Sequence, residues 1–404
     1  MRIELPKNVE RFGTIRLGDL QRVFELDSGP GNGELPPPSH AIQRIPYRQL
    51  AKIFKEMAIV VPIRGERLKL IEGVLCGIPH PCLIIIVSNS EISPIDRFHM
   101  EQDALRDFCT FVEKDALIAH QKDPVLAEAF RKAGYRNILD KDNSIRDGKA
   151  EGMIIGMMLA LLAGKGYVGF VDADNYFPGA VEEYIREYAA GFALSRSRYT
   201  MVRIAWHSKP KVVESRLLFR KWGRASANTN ALLNKLISHY VGFETEIIKT
   251  GNAGEHALSM ELATMMDYSA GYSIEPYHFI NLLEKFGGIY ENPRPEVMDD
   301  KVDVYQIESR NPHLHEAGDA SHVDQMQYLA MQVIYHSPVC PVDLKKEILQ
   351  EARERRYISK RGKTLARPQY FPPLSSIDPK AFLGDISPTP YGRLIGEGIG
   401  QAGR

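Results

Sequence analysis

Two carboxylates one residue apart, in Asp172-Ala173-Asp174, close the short apolar run Tyr167-Val168-Gly169-Phe170-Val171 and precede a turn at Pro178-Gly179. Acids at i and i+2 converge on one hard cation once extended chain relaxes into a turn. Oxygen ligands of that kind suit magnesium or manganese, which keep positions open for phosphates. The same acids could instead cap the helix that follows. His313-Leu314-His315 repeats the spacing, and one of its imidazoles could complete a metal shell with Asp174. A surface loop is the alternative there. Thr250-Gly251-Asn252-Ala253-Gly254-Glu255-His256 offers backbone N–H groups and small side chains at a predicted helix start, which suits a phosphate or carboxylate. Arg136 and Arg203 are among the scattered cations that could meet an anionic second substrate, although most such charges are solvated.

The elements that must position these groups are legible from residue 57 onward. Ala58–Ile63, Cys82–Ser88 and Gly166–Val171 are continuous apolar runs bounded by breakers, the pattern of buried parallel strands. Helical spacing fills the intervals at 67–76, 98–111, 124–133 and 149–162, with a short strand near 116–119. This alternation predicts a doubly wound α/β sheet. Strand ends in such a sheet share one edge, so Pro62–Glu66, Ser88–Ser90, the loop before Lys149 and Asp172–Asp174 would line it together. Pro62, Glu66 and Ser88 then fall where a base and ribose would lie, and Lys149 at a helix N-terminus where a nucleotide oxygen would lie. Glu66 and Ser88 as helix caps, and Lys149 as a solvated charge, are the plainer alternatives.

Downstream, the alternation in Tyr199–Trp206 predicts a half-exposed, antiparallel strand, Ala257 opens a predicted helix, and Tyr272–Pro276 reads as a strand end. Further strands are predicted at 216–221 and 305–308, and helices at 180–190, 231–239, 321–335 and 341–353. Residues 15–26 could form a small strand or helix, and the breaker-rich 29–38 must be a loop.

The chain has 404 residues, enough for one large domain or two. Lys plus Arg and Asp plus Glu balance at 51 each, which gives no electrostatic reason to expect nucleic acid or a membrane surface. The four cysteines, Cys76, Cys82, Cys109 and Cys340, lack zinc spacing and read as small buried hydrophobes in a reducing compartment. The longest apolar stretch, 153–163, is too short to span a bilayer, so a cytoplasmic location is expected. Neither a phosphate-loop motif nor a Gly-x-Ser-x-Gly elbow occurs, which weakens the NTPase and hydrolase readings.

Taken together, several blocks resemble the mannosyl-3-phosphoglycerate synthase family of GT-A glycosyltransferases. They include Ile84–Ser90, His120–Pro124, Gly148–Met153, Gly169–Tyr176, Thr250–His256 and Asn311–Glu316. The resemblance runs from about residue 57 to 340. It implies a GT-A type, Rossmann-like nucleotide-sugar-binding sheet, an acceptor-binding α/β half and a helical C-terminal tail. The divisions expected are an extension at 1–56, a nucleotide-sugar half at 57–178, an acceptor half at 179–340 and a tail at 341–404. The implied reaction is a retaining transfer of mannose from GDP-mannose to the 2-hydroxyl of 3-phosphoglycerate, giving a precursor of the compatible solute mannosylglycerate. It implies a divalent ion, magnesium or manganese, on Asp174 and His313 or His315, with Asp172 toward the ribose or sugar. Thr250–Ala253 with Arg136 or Arg203 would seat the acceptor. Related enzymes suggest a homodimer. A sugar-nucleotide nucleotidyltransferase, a non-catalytic sugar-nucleotide-binding protein and a glucosyl donor remain the alternatives.

Overall fold

A computed structural model describes residues 1–27, 41–175, 177–213, 216–220, 224–291, 294–313 and 320–383. The expected loop at 29–38 and His315 lie outside the described residues.

The N-terminal residues form strands β1 (Arg2–Glu4), β2 (Val9–Phe12), β3 (Ile15–Glu25) and β4 (Ile42–Arg44), then helix α1 (Tyr47–Lys55). The βα alternation follows: β5 (Met57–Ile63), α2 (Leu68–Gly77), β6 (Leu83–Ser88), α3 (Arg97–Val112), β7 (Ala116–His120), α4 (Pro124–Lys132), α5 (Lys149–Leu162), β8 (Tyr167–Phe170) and α6 (Pro178–Leu194). Local chemistry sets several of these boundaries. Asp123 caps α4 by accepting from the Val125 N–H at 2.8 Å, with Pro124 in the first turn, where its missing N–H costs nothing. Helix α5 is buried on nearly every face, which is why its sequence is apolar all round.

The second half contains β9 (Thr200–Ala205), a hairpin of β10 (Lys209–Val213) and β11 (Arg216–Arg220), α7 (Arg224–Val241), β12 (His256–Ser259), α8 (Met260–Ala263), β13 (Tyr268–Ser269), α9 (Ile274–Phe286), α10 (Pro295–Asp300) and β14 (Val302–Glu308). Helices α11 (Ala320–His336) and α12 (Val342–Glu354), strand β15 (Tyr370–Phe371) and helix α13 (Pro379–Leu383) complete the described chain.

One eleven-stranded sheet carries the molecule, in the order β4-β1-β3-β14-β9-β12-β8-β5-β6-β7 with β2 on β3. It draws strands from 1–56, 57–178 and 179–340 alike. β3, β14 and β9 run parallel to one another, as do β8, β5, β6 and β7, and β12 runs against both of its neighbours. Both faces are covered. Along β5, Met57, Ile59, Val61 and Ile63 enter one core with α1, α2 and α6, while Ala58 and Val60 enter the other with α5. That period of two, buried on both sides, accounts for the unbroken apolar run.

Four expectations need correction, the last of them at Cys76. Tyr199–Trp206 was expected to be half-exposed, but all six residues of β9 are buried, because the strand lies in mid-sheet between β14 and β12. Ala257 lies in strand β12, not a helix; four residues are too few for periodicity to separate the two. Tyr272–Pro276 is a helical turn running into α9, with Pro276 in its first turn. Residues 15–26 are resolved in favour of strand β3. Cys76 is exposed while the other three cysteines are buried, and all four are free thiols. Among the described residues no helix is long and apolar enough to cross a membrane.

The α5–β5 crossing sets how closely the Lys149 helix approaches the sheet. A Cβ on Gly156 would stand 2.4 Å from Val60 Cγ1. Gly156→Ala should therefore lower stability by about 1–3 kcal/mol, the usual cost of overpacking. An unchanged urea midpoint would show that Val60 can move aside.

Candidate active site

The ends of β5, β6 and β8 open onto a cavity lined by Pro62, Ile63, Arg64, Glu66, Val87, Asn89, Gln121, Gly148, Lys149, Asp172, Ala173, Asp174, Tyr272 and His322. Of the residues singled out from sequence, the cavity brings together Pro62, Glu66, Lys149, Asp172 and Asp174.

After Phe170 the chain leaves the sheet, and the Asn175 N–H donates to the Asp172 carbonyl, which makes the turn that presents both acids. Lys149, first residue of α5, sets its ammonium 2.6 Å from Asp172 Oδ1 and 3.0 Å from Glu275 Oε1. Burial works against the charge on Lys149, but the two carboxylates outweigh it and hold the ammonium well above its usual value. At Asp174 burial and then the Asp172 charge lift the carboxyl to about 7, with Lys149 opposing and Glu66 adding to the lift. Burial also raises Glu66. An acid cluster that resists ionisation is a fitting place for a cation.

Register explains how the second half reaches this cavity. His256 at the start of β12 pairs with Phe170 of β8 and with Arg203 of β9. Because β12 runs backwards, the segment just before it arrives at the edge where β8 ends. Gly254 presses so closely that a Cβ there would stand 2.5 Å from Asp172 Oδ2 and 3.2 Å from Lys149 Nζ.

Ser88 and Arg203 face elsewhere than the sequence suggested, and Arg136 lies apart from this cavity. Ser88 is wholly buried, and its hydroxyl donates to Glu101 Oε2 at 2.6 Å instead of facing a base. Ser90 donates to the other oxygen of Glu101 and accepts from the Gly65 N–H, so the three residues brace the strand tip from below. Arg203 is also wholly buried. Its guanidinium donates to the carbonyls of Thr250 (3.0 and 2.8 Å), Gly251 (3.4 Å) and Glu275 (3.2 Å), so it shapes the loop at Thr250 from within the protein. Arg136 is exposed on a single helical turn outside the cavity lining.

In the loop itself, the Thr250 hydroxyl donates to Gln306 at 2.8 Å and the Gly251 N–H donates to Asn230 at 2.7 Å. The Ala253 N–H closes a turn onto the Thr250 carbonyl. Asn252 is buried with neither side-chain amide atom hydrogen-bonded.

His313 is 5% exposed and lies outside the cavity lining. Its ring stacks on Trp206 at 4.3 Å, and its Nδ1 stands 3.9 Å from Glu255 Oε1, whose other oxygen accepts from the Trp206 indole. Glu183 of α6 holds the preceding turn, accepting from the N–H groups of Arg310 and Asn311 at 2.6 and 2.8 Å. Among the described residues no three Asp, Glu, His or Cys side chains stand as a ready ligand set. The donors that the cavity does offer are carboxylate oxygens, the type a hard divalent cation takes.

A family model described as mannosyl-3-phosphoglycerate synthase matches residues 5–386. The chain belongs to the mannosyl-3-phosphoglycerate synthase family. The family's synthase from Pyrococcus furiosus is 46% identical over 380 residues, covering 94% of this chain and 95% of that one. The one from Aeropyrum pernix is 34% identical over 354 residues, covering 87% and 90%. Among solved structures, glucosyl-3-phosphoglycerate synthase from Mycobacterium tuberculosis in complex with phosphoglyceric acid is 16% identical, with a TM-score of 0.45 over 71% of this chain and 80% of that chain. That likeness is too distant to carry any residue across.

Glu275, Gln121 and Tyr272 also shape the site, although sequence reasoning assigned none of them a role of its own, and Gly254 enters it from the loop at 250–256. Gln121 donates to the carbonyls of Arg146 and Gly148, fixing the entry to α5. Glu275-Pro276 did carry a signal, an acid and a proline together in the first turn of a helix. Gly254→Ala should separate Asp172 from Lys149 and lower kcat/KM by about 10²-fold, the scale of an ångström-level misplacement. Full activity in steady-state assays would show that the loop can retreat without cost.

Proposed function

We propose that the chain transfers mannose from GDP-mannose to the 2-hydroxyl of 3-phosphoglycerate with retention of configuration. The family match over residues 5–386 carries this reading, and a nucleotide-type cavity at the strand ends is where such a donor would lie.

Residues 57–178 would hold the donor and residues 179–340 the acceptor. Pro62, Ile63 and Val87 give the cavity an apolar side suited to a base, with Glu66 and Asn89 beside it as polar groups. Lys149 has one N–H left after Asp172 and Glu275, and it would meet a diphosphate oxygen. Arg64, exposed at the cavity mouth, would meet another. Asp172 would take a hydroxyl of the ribose or hexose. The acceptor's anionic groups would face the turn at Thr250–Ala253, where the buried Asn252 amide is the unpaired donor. A divalent ion, magnesium or manganese, would be held by Asp174 with His313 or His315. When bound, it would offset the charge growing on the leaving diphosphate.

In the transfer the bond from the mannose anomeric carbon to the diphosphate oxygen breaks, and a bond from that carbon to the acceptor 2-oxygen forms. The acceptor proton passes to the departing diphosphate. A double displacement would need a carboxylate committed to the anomeric carbon. Asp172 is bound to Lys149, Asp174 belongs to the cation and Glu66 to the nucleoside side. That distribution favours the front-face route.

Incubation with GDP-mannose, 3-phosphoglycerate and magnesium should release GDP and a phosphorylated mannoside in equal amounts. Release of pyrophosphate would instead indicate a nucleotidyltransferase, and no product with any nucleotide sugar would end the transferase reading. Asp174→Asn should keep the fold and lower metal-dependent turnover by about 10²–10³-fold, as the loss of one charge-stabilising group does. Unchanged turnover would remove Asp174 from the metal.

A further inference from the structure

The geometry points to Glu275 as the positioning residue that keeps Lys149 in place while Asp172 changes partners on donor binding. The inference rests on the donor reading of the cavity. Glu275 does not line the cavity, and its side chain is 2% exposed, so it touches no substrate. It meets Lys149 from the far side, out of the first turn of α9, at 3.0 Å. Asp172 meets the same ammonium at 2.6 Å with a side chain 29% exposed. One carboxylate is therefore sealed in and the other opens onto the cavity.

The asymmetry has a physical consequence. Lys149 is only 13% exposed, so with a single carboxylate it would resist giving that partner up before the donor's diphosphate arrives, because a largely buried ammonium without a counter-charge is costly. With Glu275 behind it, Lys149 remains paired when Asp172 turns to a donor hydroxyl. Glu275 is itself fixed at the backbone, where its carbonyl accepts from Arg203, and that guanidinium also holds the Thr250 and Gly251 carbonyls. Its other carboxylate oxygen, Oε2, is buried with no hydrogen-bond partner, so its interaction with Lys149 Nζ runs through Oε1 alone. Removing the charge of Glu275 leaves Asp172 as the sole protein counter-ion of Lys149 and opposes its transfer to a donor hydroxyl.

The test is Glu275→Gln in the full chain, with GDP binding measured by calorimetry in magnesium, steady-state kinetics and thermal melting. The expected result is GDP affinity lower by about 10-fold, the scale of one charge-assisted hydrogen bond. The KM for GDP-mannose should rise to match, and the KM for 3-phosphoglycerate should stay within about 2-fold. Glu275→Asp, which keeps the charge, should recover part of the affinity. In a Lys149→Met background, Glu275→Gln should add nothing to the loss of GDP binding. A lower melting temperature with donor KM and GDP affinity unchanged would make Glu275 merely structural and overturn the proposal. So would an equal loss of GDP binding with or without Lys149. If the unaltered chain binds neither GDP nor GDP-mannose, the donor reading itself has failed, and that result is separable from any effect of the variants.

Discussion

An ammonium taken out of water must be met by carboxylates, and much of this site follows from how Lys149 is met. Its two acids come from different parts of the chain, Asp172 from the end of β8 and Glu275 from the start of α9. The pairing is tight enough that Gly254, arriving from a third segment, has no room for a methyl group. Three distant pieces of sequence are therefore committed to one another by a single charge. Buried ion pairs of this kind add little net stability compared with apolar packing, but losing one partner costs a great deal. Their role here is to specify geometry.

The sheet supplies the frame in which that commitment is possible. Parallel strands bring β5, β6 and β8 to a common edge, and a purely parallel continuation would have delivered only strand ends there. β12 runs the other way, so its beginning, with the loop before it, reaches the same edge beside Asp172. The reversal gives a one-sided cleft at the strand ends a second wall. β14, parallel to β9, then ends at the same edge and leads into the turn that Glu183 holds and that ends at His313.

The first half was legible because its signals are local. An unbroken apolar run such as 83–87, of strand length and bounded by breakers, reads as a strand buried on both faces, and helix α5, apolar all round, spans the longer stretch that flanking glycines mark out. Asp172 and Asp174 announced themselves for the same reason: two acids after such a run sit at a predictable edge. The second half hid its information in long-range pairing. Nothing local says that His256–Ser259 is a strand, since only registration between Phe170 and Arg203 makes it one. Ser88 and Arg203 misled because residue type fixes what a side chain can bond to but not which way it faces. Ser88 turned inward to Glu101, and Arg203 spent its donors on backbone carbonyls. Tyr272–Pro276 was misread because five residues that alternate apolar and polar are too few to separate a strand end from the first turn of a helix.

The two buried cations divide their work according to their chemistry. The guanidinium of Arg203 is a rigid fork of donors, suited to holding several carbonyls at once. It gathers Thr250, Gly251 and Glu275, with the Phe279 ring 4.7 Å from its centre. The ammonium of Lys149 is a compact point charge suited to carboxylates, and it keeps one donor for the cavity. Glu275 belongs to both systems, through its carbonyl to Arg203 and through its carboxylate to Lys149. The loop at Thr250 and the ammonium facing the cavity are thus referenced to the same helix start. A shift of α9 would move both together, so the spacing between the loop and the ammonium is held even where their absolute positions are not. For a transfer that breaks one bond and forms another at a single carbon, that spacing is the quantity the fold has to conserve.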